Sequence, residues 1–162
     1  MRISAGKLYL FEERVPLRTH QILRSELSNG RETLYISKHS PQQLRTQFDF
    51  HPSKLKTLWL SPRPEDDCIP PMNLKTFERR VASFLKEFPK GIVALNGFDV
   101  LEMWNGLRPV LEVLKRARKQ VNANGTNLII SLDPKNHHQR AVLELERLSD
   151  IVISGSPEGQ GS

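Results

Sequence analysis

The chain has 162 residues, of which 38% are hydrophobic and 26% charged, and its formal net charge is +6 at pH 7. This length suffices for one domain with its own hydrophobic core, and the composition is that of a globular protein rather than a disordered one. The single cysteine, Cys68, excludes an internal disulfide and a multi-cysteine zinc site and favours a reducing, cytoplasmic location.

Short apolar runs alternate along the chain with segments whose apolar residues have helical spacing. Glycine, proline and asparagine bound these runs, which is typical of strand and helix ends. Strands are predicted over residues 8–11, 33–37, 58–61, 92–95, 127–132 and 151–153. Helices are predicted over 19–27, from Pro41 with Ser40 as its cap, from Asn73 to Phe88, and over 107–121 and 136–148.

This alternation of strands and helices predicts the architecture. It requires a mostly parallel sheet with helices on both faces, joined by right-handed crossovers. We therefore predict a single α/β domain over residues 1–154, with three layers and a sheet of five or six strands. The loop over 62–71 carries four prolines and is predicted to lack regular structure. Residues 155–162 are small and polar and are predicted to form a flexible tail.

The apolar run that ends at Asn96 is the most informative pattern in the chain. A buried strand of this kind delivers its last side chain to the carboxyl edge of a parallel sheet. In nucleotide hydrolases of the Walker type, that edge carries an Asp that helps to hold the metal on the phosphates. Asn96 is neutral and is therefore a poorer ligand for a hard cation. The pattern resembles the frame of an ATPase without its metal-side acid.

The turn between the first strand and the first helix lacks a phosphate-binding loop. Such a loop needs glycines for close backbone approach and a Lys that reaches the terminal phosphates. Residues 12–18 read Glu-Glu-Arg-Val-Pro-Leu-Arg. They contain no glycine, their two carboxylates repel phosphate, and Pro16 has no amide hydrogen to donate. We therefore expect no ATP binding in the usual mode, and no cofactor is predicted.

Several of these segments together resemble a known family. They are similar to the archaeal domain-of-unknown-function family 835, whose members are similar to KaiC and RecA folds without the phosphate loop. In that family the position of Asn96 is commonly Asp. The resemblance implies a RecA/KaiC-like scaffold used in signalling, often beside sensor or receiver domains, and it implies no established reaction. It covers about residues 6–154 and is carried by residues 7–12, 33–37, 58–61, 92–101, 129–134, Arg140 and 143–148.

Acidic side chains follow the strands at the edge marked by Asn96. Asp99 and Glu102, at positions i and i+3, would share a helical face and could bind a cation or act as acid and base. Charges that stabilise a helix start are the favoured alternative. Asp133 ends the strand over 127–132, where it is either a ligand contact or, more commonly for Asp, a turn residue. The five histidines have no partner at metal-ligand spacing, so no metal site is predicted.

The two tryptophans have different surroundings in the sequence. Trp59 lies inside a predicted strand and is expected in the core. Trp104 follows Met103 near the sheet edge, where it either forms a patch that binds a partner or is buried. The sequence favours neither reading of Trp104.

Lys115, Arg118 and Lys119 form the densest basic cluster and share one face of a predicted helix. Such a cluster is compatible with nucleic-acid binding. No aromatic residues interleave with these cations, and a solvated helix face is the favoured interpretation.

These observations support one leading function and two alternatives. The leading hypothesis is a non-catalytic RecA/KaiC-like module that binds another protein or itself in signal transduction. The first alternative is a nucleotide-dependent phosphoryl-transfer or hydrolytic enzyme that uses Asp99, Glu102 and Asp133 at an atypical site. The second is a basic nucleic-acid-binding protein. A protein partner or a homo-oligomer is expected. No apolar run approaches the roughly 18 residues of a membrane span, so no membrane partner is expected.

Overall fold

The fold is built on one seven-stranded parallel sheet, seen in a computed structural model that describes residues 1–47 and 52–155. The strands are β1 (Leu8–Glu12), β2 (Thr33–Ser37), β3 (Leu55–Leu60), β4 (Cys68–Ile69), β5 (Ile92–Asn96), β6 (Asn127–Leu132) and β7 (Ile151–Ser154). Their order across the sheet is β4-β3-β2-β5-β6-β1-β7, and every neighbouring pair is parallel.

Six described α-helices cover the two faces of this sheet. They are α1 (Leu17–Ser28), α2 (Pro41–Gln47), α3 (Leu74–Glu87), α4 (Phe98–Asn105), α5 (Leu107–Asn124) and α6 (Gln139–Leu148). Short 3₁₀ turns span Pro52–Lys54 and Pro134–Asn136. Among the described residues, none of these helices combines the length and the apolar character needed to cross a membrane.

Alternate residues of the strands belong to two separate hydrophobic clusters, one on each face of the sheet. On one face, Phe11 and Tyr35 pack with Leu23 of α1 and Leu44 of α2. On the other face, a larger cluster contains residues of α3, α4, α5 and α6. Because side chains alternate across a strand, one buried sheet supplies both clusters. The predicted three-layer α/β fold is confirmed.

The number of strands exceeds the predicted five or six because β4 lies in the proline-rich loop. The prediction that this loop lacks regular structure is wrong at Cys68 and Ile69, which are buried and pair with Trp59 and Leu60 of β3. The prolines stand on either side of the two paired residues, where a missing amide hydrogen costs no ladder hydrogen bond. Trp59, expected in the core, is instead only partly buried.

Two predicted helix starts are confirmed by their capping hydrogen bonds. The Gln43 amide donates to the Ser40 hydroxyl at 3.3 Å, and the Ser40 amide donates to the Gln43 side chain at 2.8 Å, which forms a capping box. The Asn73 side chain accepts from the Thr76 amide at 3.1 Å. The predicted start of α6 at residue 136 is wrong, because a 3₁₀ turn spans Pro134–Asn136 and the helix starts at Gln139.

The last residue of β1, Glu12, faces the α6 side of the sheet. Its carboxyl group accepts a hydrogen bond from the Ser154 hydroxyl at 2.8 Å. Burial, together with the neighbouring Glu146 carboxyl group, raises the pKa of Glu12 to about 7. The folded state therefore keeps this carboxyl group protonated at pH values where the unfolded chain has ionised it.

The raised pKa of Glu12 predicts that the protein loses stability as the pH rises. The contribution of protonated Glu12 to the free energy of unfolding is fully present below the unfolded pKa near 4.5, and it is lost as the pH rises through about 7. Glu12→Gln imitates the protonated group, so we expect little change in the free energy of unfolding at pH 4. At pH 8 we expect a gain of roughly 1–2 kcal/mol, allowing for solvent screening. Urea denaturation at both pH values measures this, with the exposed Glu87→Gln as control. Equal effects of Glu12→Gln at both pH values would contradict it.

Candidate functional site

A crevice of about 580 Å³ opens at the carboxyl edge of the sheet. Its walls come from the segments that follow four adjacent strands, β2, β5, β6 and β1. Ligands of open α/β proteins bind outside the carboxyl ends of the strands, and pockets of this volume are typical of small-molecule sites. The crevice is therefore the candidate functional site.

Glu13 has its carboxylate at the start of α1, where the free amides of a helix can hold an anion. Its carboxylate accepts hydrogen bonds from the Arg18 amide at 2.9 Å, the Thr19 hydroxyl at 2.6 Å and the Ser131 hydroxyl at 2.7 Å. Its side chain is buried, and this burial raises its pKa although the three donors oppose the shift. Because free amides at a helix start attract anions, this carboxylate satisfies an amide that could otherwise bind an anion from solution.

Sequence reasoning identified the missing phosphate loop but not this interaction. The sequence predicts only that the Glu13 charge repels phosphate. Its partner Ser131 lies 118 residues away, and no local spacing links the two. The structure thus adds that a side chain of this protein binds at the start of α1.

Asn96 lies at the floor of the crevice, next to a buried tyrosine and a histidine. Tyr35 is fully buried, and its hydroxyl lies 2.7 Å from Nε2 of His20. The Asn96 side chain forms a hydrogen bond with the same hydroxyl. Burial lowers the pKa of His20 to about 4 and raises the pKa of Tyr35 well above its ordinary value. At neutral pH this group of three side chains therefore carries no charge. Sequence reasoning missed His20 and Tyr35 because both are far from Asn96 along the chain.

Gly97 sets the close approach of β5 and α4 to the neighbouring strands. A Cβ atom at this position would lie 2.5 Å from Cδ1 of Leu60 and 3.4 Å from the backbone nitrogen of Lys38. The absence of a side chain lets the chain turn directly from Asn96 into α4. Asp99, in the first turn of α4, therefore reaches the crevice.

The two acidic residues of α4 have separate basic partners. Oδ2 of Asp99 accepts a hydrogen bond from Nζ of Lys38 at 2.8 Å, and both side chains are about one-third exposed. Oε1 of Glu102 lies 3.7 Å from Nδ1 of His137, whose side chain is buried. This arrangement does not direct the two carboxylates at a common cation. In the part of the chain that the structure describes, no group of three or more His, Cys, Asp or Glu side chains could hold a metal ion.

Asp133 lines the crevice and also holds a turn. Its Oδ1 accepts a hydrogen bond from the Lys135 amide at 3.0 Å, and it caps the 3₁₀ turn Pro134–Asn136. This is the turn role that the sequence favoured over a ligand contact.

Trp104 is 56% exposed on α4, and Met103 beside it is 76% exposed. The same helix buries Phe98 and Leu101 completely, so it is fixed to the core by one face and presents the tryptophan on another. The Asn105 side chain donates a hydrogen bond to the Pro71 carbonyl at 2.8 Å and so anchors the end of α4. Of the two readings of Trp104, the structure shows the exposed patch.

The basic cluster is partly neutralised within the domain. Arg118 donates hydrogen bonds to the Leu148 carbonyl at 2.7 Å and to Oδ1 of Asp150 at 2.6 Å. Lys115 is exposed and lies 3.5 Å from a carboxylate oxygen of Glu112. Lys119 is exposed. One of the three cations therefore joins α5 to the start of β7 instead of facing a partner.

Comparisons with known proteins agree with this architecture. The chain is similar in structure to a KaiC-like protein from the hyperthermophilic archaeon Pyrococcus horikoshii OT3, with a TM-score of 0.67 and 15% sequence identity. The match covers 93% of this chain and 73% of that protein. No curated protein matches the chain.

The family comparison matches most of the domain. A family model described as a protein of unknown function (DUF835) matches residues 16–148, which include the crevice segments from β2, β5 and β6, together with α4. The chain belongs to the DUF835 family, and its fold is RecA/KaiC-like.

Proposed function

We propose that this domain is a non-catalytic interaction module that binds another protein, or a second copy of itself, in cytoplasmic signal transduction. The observation that carries the proposal is the exposed Trp104 on a helix fixed to the core. The signalling context comes from the family resemblance.

The position of Trp104 suits a binding surface. Tryptophan is enriched among the residues that dominate the energy of protein interfaces, since it buries a large area with little loss of conformational freedom. Phe98 and Leu101 hold α4 against the sheet, so the helix presents Trp104 and Met103 on a rigid support. A partner that covers both side chains removes a large apolar area from water.

The surroundings of the crevice support the non-catalytic part of the proposal. Glu13 fills the anion position of α1, Asn96 replaces a metal-side acid, and Asp99 is paired with Lys38. A nucleotide would have to displace a carboxylate that has three hydrogen-bond donors. That exchange is unfavourable because it would leave Glu13 buried without its partners.

We expect Mg-ATP to give no binding signal with the wild-type domain. Isothermal titration calorimetry up to millimolar nucleotide measures this directly, and Asp99→Ala should behave in the same way. Nucleotide binding that disappears in Asp99→Ala would instead support the enzyme alternative, because it would place Asp99 at the phosphates or their metal.

We expect Trp104→Ala to weaken association at least tenfold without lowering the thermal unfolding temperature, since the side chain is already exposed. Sedimentation velocity over a range of protein concentrations measures self-association. Affinity capture from a cell extract, with the captured protein then titrated as a purified component, measures binding of a partner. Leu143→Ala is the matched control, because Leu143 is also exposed, at 44%, but lies on α6. Equal effects of the two substitutions would contradict a specific role for Trp104.

A further inference from the structure

The mouth of the crevice is apolar. Val15 is 59% exposed and Leu17 is 37% exposed, and both line the crevice at the start of α1. Leu132 adds an apolar wall from the end of β6. Apolar side chains that are exposed singly need no explanation, but two of them at the opening of a concave site fit a ligand with an apolar surface.

The charged side chains of the crevice have partners within the protein. Lys38 is paired with Asp99, and the Glu13 carboxylate is held by three hydrogen bonds. Burial lowers the pKa of both His20 and His39, which keeps their rings neutral at physiological pH. The other charged side chains in the lining, Arg14 and Asp133, have opposite signs. The lining therefore has no excess of positive charge that would favour an anionic ligand, and the Glu13 carboxylate at the start of α1 disfavours a phosphate in particular.

The Asn96 carboxamide lies at the floor, where it is 7% exposed and lines the crevice. It forms a hydrogen bond with the Tyr35 hydroxyl, and because a carboxamide has two N–H donors and two acceptor lone pairs, it retains the capacity for further hydrogen bonds. A carboxamide offers a donor and an acceptor side by side, which matches a planar molecule that carries the same pair in the reverse order. Asparagine pairs in this manner with the edge of a nucleobase.

We propose that this crevice binds a small uncharged heterocycle of the nucleobase or nucleoside class, with its polar edge on Asn96 and its ring between the apolar side chains at the mouth. The ligand requires no phosphate contact. This inference goes beyond the proposed interaction function, and it does not depend on Trp104.

Calorimetry with the purified domain tests the proposal, using adenine, adenosine, uracil, uridine and Mg-ATP as probes. We expect at least one of the four uncharged probes to bind with a dissociation constant below about 1 mM, which corresponds to roughly 4 kcal/mol. Asn96→Leu keeps a similar volume and removes the donor and acceptor, so affinity should fall at least tenfold. Val15→Asp replaces an apolar contact at an exposed position by a charge that the ligand would desolvate, so it should weaken binding even if Asn96→Leu folds poorly. Asn29→Ala, at the exposed end of α1, is the control and should bind normally.

A tryptophan near the crevice provides a second readout. The Trp59 indole donates a hydrogen bond to the Lys38 carbonyl at 3.3 Å, and the Lys38 side chain lines the crevice. In Trp104→Phe, Trp59 is the remaining tryptophan. Ligand binding should change its fluorescence, and the fluorescence titration should give the same dissociation constant as calorimetry.

Three results would overturn the proposal. They are the absence of binding by all four uncharged probes, unchanged affinity in both Asn96→Leu and Val15→Asp, and binding of Mg-ATP at least tenfold tighter than adenosine. The last result would also contradict the non-catalytic function, whereas the first two would leave the Trp104 surface untouched. Failure of this inference and failure of the proposed function are therefore distinguishable.

Discussion

The hydrogen bonds of the buried Glu13 carboxylate are the constraint on which the functional edge of this domain depends. They join the end of β1, the first turn of α1 and the end of β6. Removing a carboxylate from water is costly unless several donors satisfy it, and here an amide and two hydroxyls do so. The same interaction satisfies an amide of the helix start. It therefore connects three elements of the sheet edge and supports the proposal that this edge binds no phosphate.

This constraint explains the character of the crevice. A RecA/KaiC-like sheet still brings the ends of four strands together, so a concave site forms whatever the residues are. The Glu13 carboxylate is satisfied by hydrogen bonds and Lys38 is paired to Asp99, so the site presents a polar floor at Asn96 and an apolar mouth. The proposed binding of an uncharged ligand rests on these walls. The proposed association rests on a separate surface, the exposed face of α4.

The sequence predicted much of the fold and less of the site. Apolar runs located six strands, and the capping patterns at Ser40 and Asn73 located two helix starts, because these signals act over a few residues. The two-residue strand β4 had no such signal, since Cys68 and Ile69 form a strand only by pairing with β3. At the site, the position of Asn96 and the turn role of Asp133 followed from local patterns. The hydrogen-bond partners of Glu13, Tyr35 and Arg118 did not follow from such local patterns.

Residue type and spacing account for the alternation that makes a parallel three-layer fold, for the absence of a glycine-rich loop after β1, and for the neutral side chain at the end of β5. The tertiary fold is needed to bring Glu13 to Ser131, to join α5 to Asp150 through Arg118, and to leave Trp104 facing solvent. Each of these depends on which distant segments meet, and Glu13 and Ser131 are 118 positions apart. The packing of the sheet selects those contacts, and local periodicity carries no information about them.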